Sequence, residues 1–360
     1  MKGSLLSEPE LLTIACDESA SEGENLMGSK HPVFVHASVN ITTDAASEFM
    51  ATLRAATKTQ ARELKSKIAL APRNRAALLE VLGSLDNQGN ILLVDKSYFV
   101  AAKMIDLLVD ELAHEYGVEV GLSGLGRQLA DYLHQRGATA IGVTRWHTLL
   151  NSYNSVIRSY YRADAAPPTV EVFFEALEDA LRNCCDVHVA QILGDIWRAR
   201  EFTREYEGAS PSVLRELDPM APSITAASMT WQMRIGEVPF EFLADNYSGL
   251  SEEVCKAIVE AARAPLSVGG VELPRADLRA VRLVDSKFDV RVQVADILAG
   301  VGREVALLAA NGVIDDQLQT VVHEMLDFNV LASSGSAIDR LVESRPLRYV
   351  EEWSARLGSM

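Results

Sequence analysis

Four apolar segments of this chain end in an aspartate, and this pattern constrains the fold more than any other feature. The segments are Leu11–Asp17 (LLTIACD), Ile91–Asp95 (ILLVD), Phe240–Asp245 (FEFLAD) and Ala280–Asp285 (AVRLVD). Short runs that are apolar on both faces are typical of central strands covered by helices on each side. If these strands run parallel, their carboxyl ends meet at one edge of the sheet, where open α/β sheets place their sites. We therefore expect carboxylates to gather at that edge.

The order of the remaining elements predicts a mixed α/β sheet with parallel pairs. Val33–Ile41 alternates and is rich in β-branched residues, so it predicts a second strand, paired as a hairpin with the first. The third strand is predicted to continue from Ile91 to Val100. Periodic apolar residues predict helices over Ala45–Lys58 (capped by Thr43 or Asp44), Asn74–Leu85, Ala101–Tyr116, Ser251–Arg263, Val290–Ala310, Asp315–Leu326 and Ile338–Leu357.

Strand signals are scarce between about Val118 and Val238, and helical periodicity dominates there. We predict a core formed by residues 1–120 and 236–335, a helical insertion or cap over 121–235, and a C-terminal helical tail over 336–360. Within the insertion, Arg145–Arg162 combines basic and aromatic residues with no acid. Such a segment is either a half-buried core helix or a surface that grips single-stranded nucleic acid by charge and stacking.

The net charge of −16 opposes a general affinity for nucleic acid, because sequence-independent binders carry a basic footprint. The acidity is uneven, however. Seven basic residues and a single acid, Glu63, lie between Arg54 and Arg75. Any polyanion would therefore be held locally, while the rest of the surface repels it.

Cysteine usage and hydropathy indicate a cytoplasmic protein. The four cysteines show no CxxC spacing, so we expect reduced thiols and neither a disulfide framework nor a zinc site. No apolar run reaches the roughly 18 residues that a membrane span requires. The N-terminal sequence MKGSLLSEPE lacks the apolar core of a signal peptide.

Two further acids lie in contexts that favour a site. Gln293, Asp296 and Gly300 share one helix face beside an apolar stripe, and the missing side chain of Gly300 allows a close approach there. An isolated helical Asp is otherwise solvated. Glu63 either pairs with Lys67 on a solvated helix or serves as a metal ligand, with Lys65 or Lys67 neutralising a phosphate.

Four short motifs, in order, resemble those of the domain-of-unknown-function 3800 family. They are Asp17-Glu18-Ser19 at the end of the first strand, Glu63-Leu64-Lys65, the strand into Asp95-Lys96-Ser97, and Asp285-Ser286 followed by Gln293-Val294-Ala295-Asp296. The resemblance covers residues 11–120 and 236–305 and skips the helical segment. Ala20 stands where that family usually has glycine. The resemblance implies a ribonuclease H-like fold, a mixed five-stranded sheet flanked by helices, with a large helical insertion.

The resemblance also implies a nuclease site. Asp17, Glu63, Asp245 and Asp296 would be its catalytic and metal-binding carboxylates, with Glu18 and Asp285 close by. Such oxygen ligands suit Mg²⁺ or Mn²⁺, and two ions roughly 4 Å apart can activate water and stabilise a leaving oxygen. Candidate substrate contacts are Ser19, Lys65, Lys67, Ser286, Lys287 and Gln293.

We therefore expect a divalent-metal-dependent nuclease or phosphodiesterase that acts on nucleic acid. Two alternatives are a non-catalytic binding or regulatory protein on the same fold and a metal-dependent hydrolase of a small phosphorylated molecule. The −16 charge and Ala20 favour the binding protein. The sequence leaves open the choice between DNA and RNA, the mode of cleavage and the oligomeric state.

Overall fold

The apolar runs of the sequence form a mixed five-stranded sheet flanked by helices. The computed structural model describes residues 11–21, 23–118, 120, 124–157, 169–206, 217–268, 271–273, 275–327 and 330–342. Its strands are β1 Leu12–Ser19, β2 Val33–Val39, β3 Gly89–Asp95, β4 Phe240–Asp245, β5 Leu266–Val268, β6 Val271–Leu273 and β7 Leu278–Val284. The five-stranded sheet has the order β3-β2-β1-β4-β7, and β5 and β6 form a separate hairpin.

Thirteen α-helices lie in the described part of the chain. They are α1 Thr43–Thr57, α2 Ser66–Ala69, α3 Arg75–Gly83, α4 Lys96–Met104, α5 Asp110–Glu115, α6 Leu125–Ile141, α7 Val143–Ile157, α8 Val170–Arg182, α9 Val187–Arg198, α10 Met220–Ile235, α11 Glu252–Arg263, α12 Val290–Ala310 and α13 Asp316–Val322. A π-helical segment, Ile105–Val109, joins α4 to α5. None of the described helices is long and apolar enough to cross a membrane.

Strand pairing brings the carboxyl ends of β1, β4 and β7 to one edge of the sheet. β1 pairs parallel with β4, and β4 pairs parallel with β7. β2 is antiparallel to both β1 and β3, which confirms the predicted hairpin of β1 and β2. Because β2 separates β3 from β1, the end of β3 lies two strands away from the end of β1.

Each face of the sheet carries its own hydrophobic layer. On one face α12 packs on β1, β2 and β3, and α1 packs on α12 and α3, around residues such as Leu53, Ile297 and Val35, all fully buried. The hydrophobic layer on the other face includes residues of the helices between β3 and β4. Phe242 of β4 and Trp231 of α10 both belong to it. Along β1, Ala15 belongs to the first layer and Cys16 to the second. The alternation of a strand therefore sends Asp17 and Glu18 to opposite faces.

The described part of 125–235 is helical and contains no strand. The segment Arg145–Arg162 is described as far as Ile157, and there its aromatic residues are core residues. Trp146 and Tyr153 are buried, and the Tyr153 hydroxyl donates to the carbonyl oxygen of Lys103 over 3.0 Å. Arg145 pairs with Asp179 over 2.8 Å. The described residues of this segment therefore form a half-buried core helix.

Several predicted boundaries were wrong. β3 ends at Asp95 rather than Val100, because the Asp95 carboxylate accepts the N–H groups of Ser97 and Tyr98 and so caps α4. α1 is capped by Thr42, not by Thr43 or Asp44. The hairpin of β5 and β6 was not predicted. The predicted helix Asp315–Leu326 is α13 followed by a 3₁₀ turn, His323–Met325.

Other predictions are confirmed. α12 spans Val290–Ala310, as predicted, and its stripe residues Val294 and Val301 are fully buried. The predicted helix Ser251–Arg263 is α11, with Ser251 as its cap. Most of the predicted tail helix Ile338–Leu357 lies outside the described residues.

Ala20, directly after β1, adopts a left-handed conformation with φ of 63°. Its carbonyl oxygen accepts a 2.8 Å hydrogen bond from Nζ of Lys96, a lysine that is only 2% exposed. Left-handed backbone is unfavourable for residues with a Cβ and costs alanine roughly 1–2 kcal/mol. The chain therefore keeps at Ala20 the turn that a glycine would adopt without that cost.

Candidate active site

Two carboxylates that are far apart in the sequence lie on elements that pack together, β1 and α12. Asp17, in β1, is 8% exposed, and Asp296, in α12, is half-buried. Burial raises the pKa of Asp17 well above its usual range, and the charges of Glu18 and Asp296 raise it further. The folded chain thus holds two acids of like charge in a place that disfavours ionisation of both.

Asp296 has a carboxylate oxygen without a protein partner. Its Oδ2 is buried and makes no hydrogen bond. Burial raises the pKa of Asp296, and Glu63 adds to that, although Lys65, the N–H of Ser66 and Arg303 favour its charged form. A buried oxygen without a donor is unfavourable by about 1–3 kcal/mol, so this atom calls for a cation, a proton or a bound donor.

The glycine predicted to allow a close approach does so. A Cβ placed on Gly300 would lie 2.2 Å from Cβ of Ser66. The start of α2 therefore packs directly on α12, and this contact places Lys65 and the N–H of Ser66 beside Asp296.

Glu63 lies in the segment between α1 and α2 and forms an ion pair with Lys65. It also accepts a 3.4 Å hydrogen bond from Oγ of Ser286. The alternative of a helical pair with Lys67 is wrong, because Glu63 precedes α2 and turns to Lys65. Burial lowers the pKa of Lys65, but the bond to Glu63 and the charges of Asp296 and Asp17 outweigh that and raise it.

Asp245, at the end of β4, is tied to the turn that follows β7. Its Oδ1 accepts the N–H of Asn246 over 2.8 Å and the N–H of Ser286 over 3.0 Å. The carbonyl oxygen of Ser286 accepts a 2.9 Å hydrogen bond from Nε2 of Gln293, and Oε1 of Gln293 accepts one from Arg54 over 3.3 Å. The buried side chain of Gln293 thus links α12 to α1 and to this turn by hydrogen bonds. Its role as a substrate contact stays a prediction.

Glu18 lies on the opposite face of the sheet. Burial raises its pKa, a hydrogen bond with the Asp17 carboxyl opposes this, and the charges of Asp245 and Asp218 raise it further. Its Oε2 is buried without a hydrogen bond. Asp218 accepts a 2.9 Å hydrogen bond from the hydroxyl of Tyr247, so the end of the helical region reaches the same sheet edge.

Sequence reasoning missed Asp218, Tyr247 and Arg303. Asp218 precedes Pro219 and accepts the N–H of Met220 over 3.0 Å, so its local pattern is that of an ordinary helix start. Arg303 donates from Nη1 to Oγ of Ser19 over 3.0 Å. Its spacing of seven residues from Asp296, two turns along the same face, could have identified it.

The remaining candidates lie outside this group. Asp285 accepts the N–H of Lys287 over 2.9 Å and pairs with Nζ of Lys287 at 3.7 Å. Its carboxylate is therefore engaged within the turn to which it belongs. Lys67 is exposed on α2, and within the described residues no contact joins it to the carboxylates. Asp95 caps α4 two strands away from Asp17.

The carboxylates are of the ligand type that a hard divalent cation prefers. Their donors are oxygens without His or Cys, Oδ2 of Asp296 is buried without a hydrogen bond, and burial together with neighbouring negative charge raises the pKa of Asp17. Within the described ranges, however, no three His, Cys, Asp or Glu side chains form a group that could hold a metal ion. Glu63 is engaged by Lys65 and Ser286, and Asp245 by backbone N–H groups, so both would have to turn to share one ion.

We compared the chain with protein-family models, with curated proteins and with solved structures, and found no match in any of the three. A fold alone does not determine a function, which depends on the chemistry of the site.

Proposed function

We propose that the chain is a divalent-metal-dependent phosphodiester hydrolase that acts on nucleic acid, on a ribonuclease H-like core with the helices between β3 and β4 as an insertion. One observation carries the proposal. Asp17 is buried in β1, the charge of Asp296 on the neighbouring α12 raises its pKa, and Oδ2 of Asp296 lacks a hydrogen bond. A bound cation would supply that missing partner and relieve the repulsion between the two acids.

Two features of the sheet support this proposal: the arrangement of its strands and the positions of the acids at the strand ends. The resemblance to the domain-of-unknown-function 3800 family predicts a mixed five-stranded sheet flanked by helices, and the chain has such a sheet. Asp17 and Asp245 lie on adjacent parallel strands, and the turn at Ser286 contacts both Asp245 and Glu63.

Asp17 and Asp296 would hold the cation, with Glu63 and Asp245 completing the set. Divalent ions bound there would lower the pKa of an attacking water and stabilise the leaving oxygen. Lys65, with its side chain 60% exposed, would turn from Glu63 to a non-bridging oxygen of the phosphate. Ser286 would keep Glu63 oriented, and Gln293 would fix the turn that carries Ser286.

The position of Lys65 favours a second candidate function, that of a non-catalytic protein. Its ammonium already pairs with Glu63, and its charge interacts favourably with those of Asp296 and Asp17 without a metal. In that case the carboxylates and Lys65 would form a permanent ion network, and the protein would bind a partner without cleaving it.

Thermal unfolding with and without Mn²⁺ separates the two functions. For a hydrolase, Mn²⁺ raises the Tm of the wild type, and Asp296→Asn abolishes the rise. Hydrolysis of bis(p-nitrophenyl) phosphate is then Mn²⁺-dependent and lost in the same variant. Glu253→Gln, on the exposed surface of α11, is the matched control and should match the wild type in both assays.

For the non-catalytic protein, Mn²⁺ leaves the wild-type Tm unchanged and no diester is hydrolysed. Lys65→Gln then lowers the Tm, because it leaves the carboxylates without their internal cation, and it creates a Mn²⁺-dependent rise. That result would overturn the hydrolase proposal.

A further inference from the structure

Phe288, in the turn between β7 and α12, is 79% exposed. Single exposed apolar side chains are common on protein surfaces and need no function by themselves. This one differs in its setting, because its backbone is fixed, a guanidinium lies near its ring, and its turn reaches the candidate site.

Hydrogen bonds on both sides fix the backbone of Phe288. Its own N–H donates to the carbonyl oxygen of Asp285 over 2.8 Å, and the N–H of Lys287 donates to Oδ1 of Asp285 over 2.9 Å. Asp289 caps α12 and also pairs with the Arg291 guanidinium over 2.7 Å. A ring held on such a backbone loses little conformational entropy when a ligand stacks on it.

One guanidinium lies close to the ring. The guanidinium carbon of Arg62 lies 5.9 Å from its centroid, and Arg62 is exposed. The segment that carries Arg62 is fastened to α1, because Nη2 of Arg54 donates to the carbonyl oxygen of Arg62 over 2.7 Å. Aromatic rings beside basic side chains bind single strands, since every base has a face that can stack and the cations contact the backbone.

The ring and the candidate site belong to the same two pieces of chain. Arg62 directly precedes Glu63, and Phe288 is two residues from Ser286, whose Oγ donates to Glu63 and whose N–H donates to Asp245. The turn that carries Phe288 is therefore hydrogen-bonded to two carboxylates of the candidate site. A base paired within a duplex is already stacked on its neighbours and cannot offer its face in the same way.

We propose that Phe288 and Arg62 form a stacking platform that selects single-stranded nucleic acid and sets a phosphate at the carboxylate site. This inference rests on the proposed function, for which it names the substrate class. The overall charge of −16 repels a polyanion. A nucleic acid would therefore be held by a local basic and aromatic contact of this kind.

The test is equilibrium binding in a background that separates binding from cleavage. Asp296→Asn serves as the parent, and fluorescence anisotropy follows a labelled 12-nucleotide thymidine strand, the same strand without its bases, and a duplex of equal length. We expect the parent to bind the base-containing strand more tightly than the other two. Phe288→Ala should weaken that binding about 5-fold to 150-fold, which corresponds to the ~1–3 kcal/mol measured for one stacked base.

Two further variants isolate stacking. Phe288→Trp should retain or strengthen binding, because a larger aromatic face remains. Tyr116→Ala removes an aromatic side chain that is 77% exposed at the end of α5, and it should bind as the parent does.

Unchanged affinity in Phe288→Ala, or equal binding of the strand that lacks bases, would overturn the platform. Absence of binding by the parent would overturn it as well. The hydrolase proposal is judged separately, by Mn²⁺-dependent hydrolysis of bis(p-nitrophenyl) phosphate in the wild type, so the two can fail independently.

Discussion

Replacing Gly300 with alanine tests the close packing that places α2 at the carboxylates. The new Cβ would lie 2.2 Å from Cβ and 2.4 Å from Oγ of Ser66. Non-bonded carbons rest about 3.5–4.0 Å apart, so the start of α2 must move by roughly 1.3 Å or more. Ser66 is only 7% exposed and cannot turn its Cβ away, and such overpacking costs about 1–3 kcal/mol.

Helix propensity works in the opposite direction and has to be measured separately. Alanine is favoured over glycine within a helix by about 0.8–1.0 kcal/mol. Gly194, in α9, provides the matched control, because nothing lies within 4 Å of its would-be Cβ. Gly194→Ala should therefore raise the free energy of unfolding by about 1 kcal/mol. Gly300→Ala should fall about 1–3 kcal/mol below that control.

Urea unfolding of both variants measures these differences in the free energy of unfolding. A double variant tests whether overlap with Ser66 is their cause. Ser66→Gly removes both atoms that the new methyl group would overlap. In the pair Ser66→Gly/Gly300→Ala, alanine at position 300 should therefore stabilise the chain as it does at position 194. If Gly300→Ala alone is as stable as Gly194→Ala, or if Ser66→Gly brings no rescue, the packing argument is refuted.

Two more predictions concern the end of β1. Ala20→Gly should raise the free energy of unfolding by about 0.5–1 kcal/mol, because it removes the left-handed strain at φ of 63° and adds some chain entropy to the unfolded state. Ala55→Gly on the exposed face of α1 should lower it by about 1 kcal/mol, and a loss of equal size at both positions would contradict the argument. Asp17→Asn should stabilise the metal-free chain, and its advantage over the wild type should grow as the pH rises. The raised pKa of Asp17 means that its ionised form is disfavoured in the folded state, so the advantage is absent below the unfolded pKa, about 3.9, and complete above the folded pKa. An advantage that is constant or shrinks between pH 4 and pH 8 would contradict this prediction.

The sequence predicted the sheet well because its strands and their ends carry strong local signals. The strands that end at Asp245 and Val284 and the helix Val290–Ala310 follow from apolar periodicity and capping residues. The close approach at Gly300 was also predictable, since a glycine on a helix face has no side chain to hold a neighbouring segment away.

The rest of the site depends on contacts between distant segments. The pairing of Glu63 with Lys65 instead of Lys67 follows from where α2 begins, and that start is fixed by packing on α12. Asp218 reaches Glu18 and Tyr247 only because the helical region folds back onto the sheet edge. The end of β3 is likewise set by side-chain geometry, since the Asp95 carboxylate turns back to cap α4.

Calorimetric titration with Mn²⁺ tests the central claim most directly. The wild type and Glu253→Gln should show saturable binding that is lost in Asp17→Asn and in Asp296→Asn. Loss in both variants would place these two acids, one from β1 and one from α12, at a single metal site. Unchanged binding in both variants, or no saturable binding by the wild type at millimolar Mn²⁺, would contradict the claim and favour the ion network organised by Lys65.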